Sequence, residues 1–170
     1  GYTEDFPLEQ MARDVRIMSI YEGTTGIHGL TLLGRGIPSE QGKAVQALVK
    51  LIQSDIAQGM TNEITKPYAE MLANELASLN KVTLHKLSKA GQPDVFLADS
   101  TLYMELFGLI VVAWQWLKQG NVAAKNVDSA EKSFYQDKIH TMKFFYHYEV
   151  PKALGLTKRL LDDEILTIFE

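Results

Sequence analysis

A carboxylate stands at a break in a helical pattern, because residues 21–27 read Tyr-Glu-Gly-Thr-Thr-Gly-Ile directly after an amphipathic run. Glu22 is followed at once by Gly23, and glycine both interrupts helices and lets other groups approach the backbone closely. A glutamate in this place can act as a base, although the commoner role of a glutamate is a solvated side chain at a helix end. Glu22 is therefore the first candidate for proton transfer in this sequence.

A second group of residues has the types that bind metal ions. Asp137 and His140 lie one helical turn apart, and His147 follows two turns later on a similar face. Di-iron helical bundles, however, use two Glu-x-x-His pairs together with two further inward-facing glutamates. The sequence contains no Glu-x-x-His, so we predict no metal site.

The elements that must position these residues are helices, since apolar residues recur at steps of three and four along almost the whole chain. Pro7 marks an early helix start. Gly120 and Asn121 are expected to stop the most apolar helix, and Asp128 or Ser129 to cap the next one. The predicted helices cover approximately residues 5–20, 27–36, 39–59, 67–90, 95–118, 130–150 and 152–162.

The fold class predicted from this pattern is all-α. No segment alternates convincingly between apolar and polar residues, and no Asn-Gly or Asp-Gly hairpin signal occurs. Four long helices from residue 39 onward, joined by short turns, predict an up-and-down helical bundle. The first 36 residues form a helical lead-in that we expect to pack elsewhere.

Composition excludes several classes of function. The net charge of -4 and the lack of a long basic run argue against nucleic acid as a partner. The absence of cysteine excludes disulfides and thiolate chemistry and fits a cytoplasmic protein. The apolar stretch 106–117 is shorter than the roughly 20 residues of a membrane span, so no transmembrane segment is expected. No export signal is visible, and the lack of an initial methionine fits a fragment.

Residues 1–37 carry several ordered motifs, namely Gly-Tyr-Thr-Glu-Asp-Phe-Pro-Leu-Glu, Arg-Asp-Val-Arg-Ile and Ile-Tyr-Glu-Gly-Thr-Thr-Gly-Ile. Together they resemble the end of the C-terminal helical domain of flavin-dependent acyl-CoA dehydrogenases. Residues 38–170 resemble, in length and helical pattern, the additional C-terminal domain of larger bacterial members such as the 3-methylmercaptopropionyl-CoA dehydrogenase-like group. The resemblance thus implies two domains, 1–37 and 38–170, from the end of a longer polypeptide.

The resemblance also implies roles for individual residues. Glu22 would be the base that removes the α-proton of an acyl-CoA substrate, and Tyr21 would line the substrate pocket. Gly23 and Thr24 would contact the FAD cofactor, from which electrons pass to an external acceptor. His28 stands where many relatives carry glutamine and receives no role. Because most of the flavin and substrate site lies upstream, we expect this chain alone to bind FAD poorly and to show no turnover.

A different function remains open beside this one. One predicted helix carries more aromatic residues than a single core-facing stripe requires: Phe134, Tyr135, Phe144, Phe145, Tyr146 and Tyr148. Aromatic residues are enriched at protein interfaces, although plain core packing would also explain them. The alternative hypothesis is therefore a non-catalytic module for packing, homo-oligomerisation or partner docking.

Overall fold

The computed structural model describes residues 3–168, with Ser19 described in its backbone only. Gly1 and Tyr2, which open the resembling segment, lie outside these residues. Eight α-helices and no strand form in the described part: α1 (Leu8–Arg16), α2 (Thr25–Thr31), α3 (Lys43–Gly59), α4 (Lys66–Ser88), α5 (Pro93–Leu97), α6 (Ser100–Lys125), α7 (Lys132–Tyr148) and α8 (Lys152–Leu160). The all-α class is confirmed, and α3, α4, α6 and α7 are the four long helices of the bundle.

Helix α6 is the centre of the bundle, because α2, α3, α4, α7 and α8 all pack against it. Its inward side chains are fully buried, and leucine, isoleucine and methionine from the surrounding helices meet them. The core includes Leu33, Ile52, Leu72, Val82, Leu106, Ile110, Leu117, Met142 and Leu160. Burial of this apolar surface is the main term that stabilises the fold.

Several polar side chains inside the core form hydrogen bonds between helices. The Trp114 indole N–H donates to the Asp55 carboxylate at 2.7 Å, which joins α6 to α3. The Tyr146 hydroxyl donates to the Ala113 carbonyl at 2.9 Å, which joins α7 to α6. Burial raises the pKa of the Tyr146 phenol, so this hydroxyl keeps the proton that it donates.

Gly120 and Asn121 do not stop α6, which continues to Lys125, so this prediction from the sequence was wrong. Glycine here serves close packing, since a β-carbon at position 120 would lie 2.2 Å from the Met142 sulfur on α7. The Asn121 amide donates to the Asp55 carbonyl at 2.9 Å and thereby holds α3. Contacts between helices thus outweigh the low helix propensity of glycine and asparagine.

Gly120→Ala is expected to lower the free energy of unfolding by about 1–3 kcal/mol, because the methyl group must displace the fully buried Met142. Gly108→Ala, on the same helix, is the matched control. A β-carbon there meets nothing within 4 Å, so the change should stabilise the helix by about 0.5–1 kcal/mol. Urea denaturation followed by circular dichroism measures both. Equal stabilisation by the two variants would contradict the close packing of α6 against α7.

Two helix boundaries also differ from the sequence expectation. Helix α7 begins at Lys132 without a side-chain cap, so Asp128 and Ser129 are not its caps. The predicted helix 95–118 is divided into α5 and α6, and Asp99 at the division has φ -102° and ψ 26°. Its carboxylate lies 3.1 Å from the Lys86 ammonium. The division between α5 and α6 thus coincides with a buried ion pair.

The start of α3 is delayed by a turn of unusual backbone. Glu40, Gln41 and Gly42 all have positive φ, at 47°, 59° and 78°. This conformation is costly for residues with a β-carbon and ends any continuous right-handed helix. Helix α3 therefore begins at Lys43 rather than at residue 39.

The lead-in behaves differently in its two halves. Helix α1 buries none of its residues. Helix α2, in contrast, packs on α6, where a β-carbon on Gly29 would lie 2.9 Å from the Ser100 carbonyl. The expectation that the whole lead-in packs elsewhere is therefore wrong for α2. The apolar side chains that the first half exposes are Phe6, Leu8, Met11, Val15, Ile17 and Met18.

Helix α6 is long and apolar enough to cross a membrane when only length and composition are considered. The expectation from the sequence counted the shorter stretch 106–117, whereas the helix has 26 residues. The core helix of a globular bundle passes the same test. Since five helices of this chain cover α6, its composition does not indicate a membrane span.

Candidate active site

The candidate base lies in the turn that joins the 3₁₀ helix Ile17–Ser19 to α2. The amides of Ile20 and Tyr21 both donate to the Ile17 carbonyl at 3.0 Å, which closes the end of the 3₁₀ helix. The chain then reverses direction through Glu22 and Gly23 before α2 begins at Thr25. The turn therefore presents Glu22 between two helical segments.

Glu22 adopts a left-handed backbone conformation with φ 58°, and Gly23 follows with φ 121°. Such a conformation costs a residue with a β-carbon roughly 1–3 kcal/mol and is often found at functional sites. The Glu22 side chain is exposed. Within residues 3–168, no hydrogen bond or ion pair engages its carboxylate. The carboxylate is thus free to accept a proton from a bound molecule.

Thr24 begins α2 as its N-cap, with its hydroxyl oxygen 3.5 Å from the Ile27 amide. The helix that follows is fixed by Gly29, which is buried against the backbone of Ser100 at the start of α6. The candidate site is therefore attached to the bundle through α2. Thr24 and Gly23 keep exposed or half-buried positions on the outer side of this attachment.

Tyr21 directly precedes Glu22, and Arg13 lies on α1 in the same segment. The Tyr21 side chain is 49% exposed, so it is not part of the core of this chain. Arg13 forms an ion pair with Glu9, one turn earlier on α1, at 2.9 Å.

The residues considered as metal ligands are not brought together. In the part of the chain that the structure describes, no three histidine, aspartate or glutamate side chains form a group that can hold a metal ion. The His147 ring instead meets the edge of Tyr68, with the two ring centres 6.0 Å apart. Asp137 accepts the Thr141 hydroxyl on its backbone carbonyl at 2.9 Å.

The turn around Glu22 is an open surface of this chain. A cavity of about 490 Å³ lies elsewhere, among apolar residues of α3, α4 and α6. Thr24 is exposed and Gly23 is half-buried at this turn.

Comparison with known families gives two matches. Residues 44–166 match the family described as "Acetyl-CoA dehydrogenase C-terminal like", and residues 1–37 match "Acyl-CoA dehydrogenase, C-terminal domain". The helical fold and the turn at Glu22 thus lie in the C-terminal region of oxidoreductases that use FAD. The chain belongs to the acyl-CoA dehydrogenase family.

Similar proteins cover the chain from end to end. The broad-specificity linear acyl-CoA dehydrogenase FadE5 of Mycobacterium tuberculosis is 28% identical over 183 aligned positions, 100% of this chain and 30% of that protein. The 3-methylmercaptopropionyl-CoA dehydrogenase of Ruegeria pomeroyi is 29% identical over 98% of this chain and 29% of its own length. The short-chain-specific acyl-CoA dehydrogenase of Clostridium acetobutylicum is 49% identical over 35 residues, 21% of this chain and 9% of that protein. The chain therefore spans about 30% of the length of the two relatives that match it throughout.

Two features near the candidate base were missed by sequence reasoning. Gly29 was seen only as part of a short helix, whereas it makes the close contact with α6. His28 was given no role, whereas its ring lies against Gly23. The available signal was spacing: His28 is in the first turn of α2, and helical side chains lean toward the N-terminus of their helix.

Proposed function

We propose that this chain is the C-terminal part of an FAD-dependent acyl-CoA dehydrogenase that introduces an α,β double bond into an acyl-CoA thioester. The observation that carries the proposal is Glu22, an exposed carboxylate on a left-handed turn inside the segment that matches the family. The left-handed conformation alone does not indicate a role, because Glu40 and Gln41 share it; what distinguishes Glu22 is its place inside the matching segment.

In this reaction Glu22 removes the proton from the carbon next to the thioester carbonyl, and the carboxylate becomes a carboxylic acid. Gly23 and Thr24 would contact FAD in the complete enzyme, where the cofactor would supply the acceptor for the hydride that leaves the β-carbon, and the electrons would then pass to an external acceptor. The electron pair of the broken α-C–H bond forms the new double bond. A carboxylate enclosed by substrate and cofactor has its anionic form disfavoured, which strengthens it as a base.

The neighbouring residues have supporting roles in the proposal. The backbone N–H of Glu22 donates to the thioester oxygen and stabilises the negative charge that develops there. Tyr21 lines the substrate pocket with its exposed ring. Gly23 permits close approach of the flavin, and the Thr24 hydroxyl makes a polar contact with it.

This chain exposes an apolar surface beside the candidate base, which another part of the complete enzyme would cover. Ile17, Met18, Ile20 and Tyr21 are each about half exposed or more beside the candidate base. An apolar surface of this kind requires a covering partner. We assign that role to the upstream part of the polypeptide, and we expect the separate chain to be inactive. A cytoplasmic location belongs to the same proposal.

The proposal is tested with the complete protein, purified and supplied with FAD. Addition of straight-chain acyl-CoA thioesters under anaerobic conditions should bleach the flavin absorbance, while the separate chain 1–170 should show neither bound flavin nor bleaching. A complete protein that binds FAD but is not reduced by acyl-CoA thioesters of any length from four to eighteen carbons would refute the function.

Self-association is the second part of the proposal, and exposed aromatic residues on α7 support it. Phe144 and Tyr148 stack with ring centres 4.7 Å apart and remain 51% and 66% exposed. Paired exposed aromatics are typical of interface residues. Sedimentation of the same preparation should give a mass of two or more subunits, and a monomer would exclude homo-oligomerisation.

A further inference from the structure

The imidazole of His28 covers the back of the turn that carries Glu22. A β-carbon built on Gly23 would lie 3.1 Å from His28 Nε2 and 3.3 Å from Cε1. The ring therefore occupies the space that a side chain at position 23 would need. A side chain at position 23 would push the ring aside by a few tenths of an ångström, and glycine also accepts φ 121° without strain.

The position of His28 in α2 explains why its ring reaches this turn. Its backbone N–H donates to the Thr24 carbonyl at 3.0 Å, so His28 belongs to the first helical turn. Side chains of a helix point toward its N-terminus and cover the preceding turn. The next residue, Gly29, is pressed against the backbone of Ser100, which fixes the rotation of α2. The packing of α2 on the bundle thus places the exposed His28 side chain beside Gly23.

Gly23 without a neighbour would have wide conformational freedom, because glycine populates both signs of φ. Any rotation about the Gly23 backbone would turn Glu22 relative to α2. Packing of a flat ring against Gly23 restricts this rotation. We propose that His28 is a positioning residue, which fixes the left-handed turn so that the Glu22 carboxylate faces the substrate α-carbon. This inference rests on the proposed function and assigns a role to a residue outside the Tyr-Glu-Gly-Thr motif.

The role predicts a specific kinetic pattern in the complete enzyme. His28→Ala removes the ring and should lower kcat about tenfold to a hundredfold, since small displacements of a catalytic group are costly. The KM for acyl-CoA should stay within about twofold, because the substrate contacts are unchanged. His28→Phe restores a ring of similar width without a titratable group and should recover most of kcat. The melting temperatures of the three proteins separate positioning from loss of fold.

Two further measurements complete the test. His140→Ala removes an exposed histidine from α7, far from the motif in sequence, and should leave kcat unchanged. In a double-mutant cycle with Gly23→Ala, the combined loss should be smaller than the product of the single losses, because the added methyl group no longer meets the ring.

Full kcat in His28→Ala, or failure of His28→Phe to restore it, would overturn the positioning role. In either case wild-type reduction of the flavin by acyl-CoA would still stand, so the proposed function would survive. An inactive wild-type enzyme would refute both.

Discussion

Glu22→Gln in the complete enzyme should lower the rate of flavin reduction by acyl-CoA about 10²- to 10⁴-fold, the usual contribution of a positioned general base. Glutamine has nearly the same shape as glutamate but cannot take the α-proton. The backbone N–H of position 22 remains, so the substrate should still bind. Stopped-flow absorbance at the flavin band measures the rate, and titration with a non-reacting thioester analogue measures the affinity.

The chain offers a closely matched control for this variant. Glu40 is also an exposed glutamate with positive φ, at 47°, so Glu40→Gln repeats the chemical change on a similar backbone. It lies in the turn before α3 and should leave flavin reduction unchanged. A Glu22→Gln enzyme that reduces flavin at the wild-type rate would show that another group is the base. Equal losses in both variants would point to a general effect of the substitution.

The helices were predictable because their signal is local and repeated. The apolar positions of α3, α4 and α7 follow the helical period over about four turns or more, and packing agrees with that period. Gly120 shows where this reasoning fails. Glycine ends a helix in many sequences, but here it allows Met142 of α7 to approach α6. Glycine can either end a helix or allow close packing against it, and only the position of the neighbouring helix distinguishes the two roles.

The candidate site was likewise predictable only in part from the sequence. The motif around Glu22 is continuous in sequence, so its residues could be named without a structure. The left-handed turn at Glu22 and the ring of His28 over Gly23 depend on how α2 rests on α6 through Gly29. No local pattern reports a contact between residues 29 and 100. The order of residues thus indicates the candidate chemistry, while the backbone conformation of the turn and its place on the bundle are visible only in the structure.

Asp99→Asn should lower the free energy of unfolding by about 3–5 kcal/mol, because it leaves a buried ammonium without a counter-charge. The Lys86 and Asp99 side chains are 2% and 9% exposed, and their charged atoms lie 3.1 Å apart. Arg159 also approaches Asp99, at 3.7 Å, but is 35% exposed and can be hydrated after the change. Urea denaturation of the chain measures the loss.

The reason for a large effect is desolvation rather than the strength of the ion pair. A double variant, Lys86→Met with Asp99→Leu, removes both buried charges and should recover most of the lost stability. Lys152→Met, at the start of α8, breaks an exposed pair with Glu149 at the end of α7 and should cost no more than about 1 kcal/mol. If Asp99→Asn were as mild as Lys152→Met, water would have to reach Lys86, and the junction of α4, α5 and α6 would be more open than its burial indicates. If the double variant recovers the stability lost in Asp99→Asn, the cause is the burial of the unpaired Lys86 ammonium. Loss of the ion pair cannot be the cause, because the double variant lacks that pair as well.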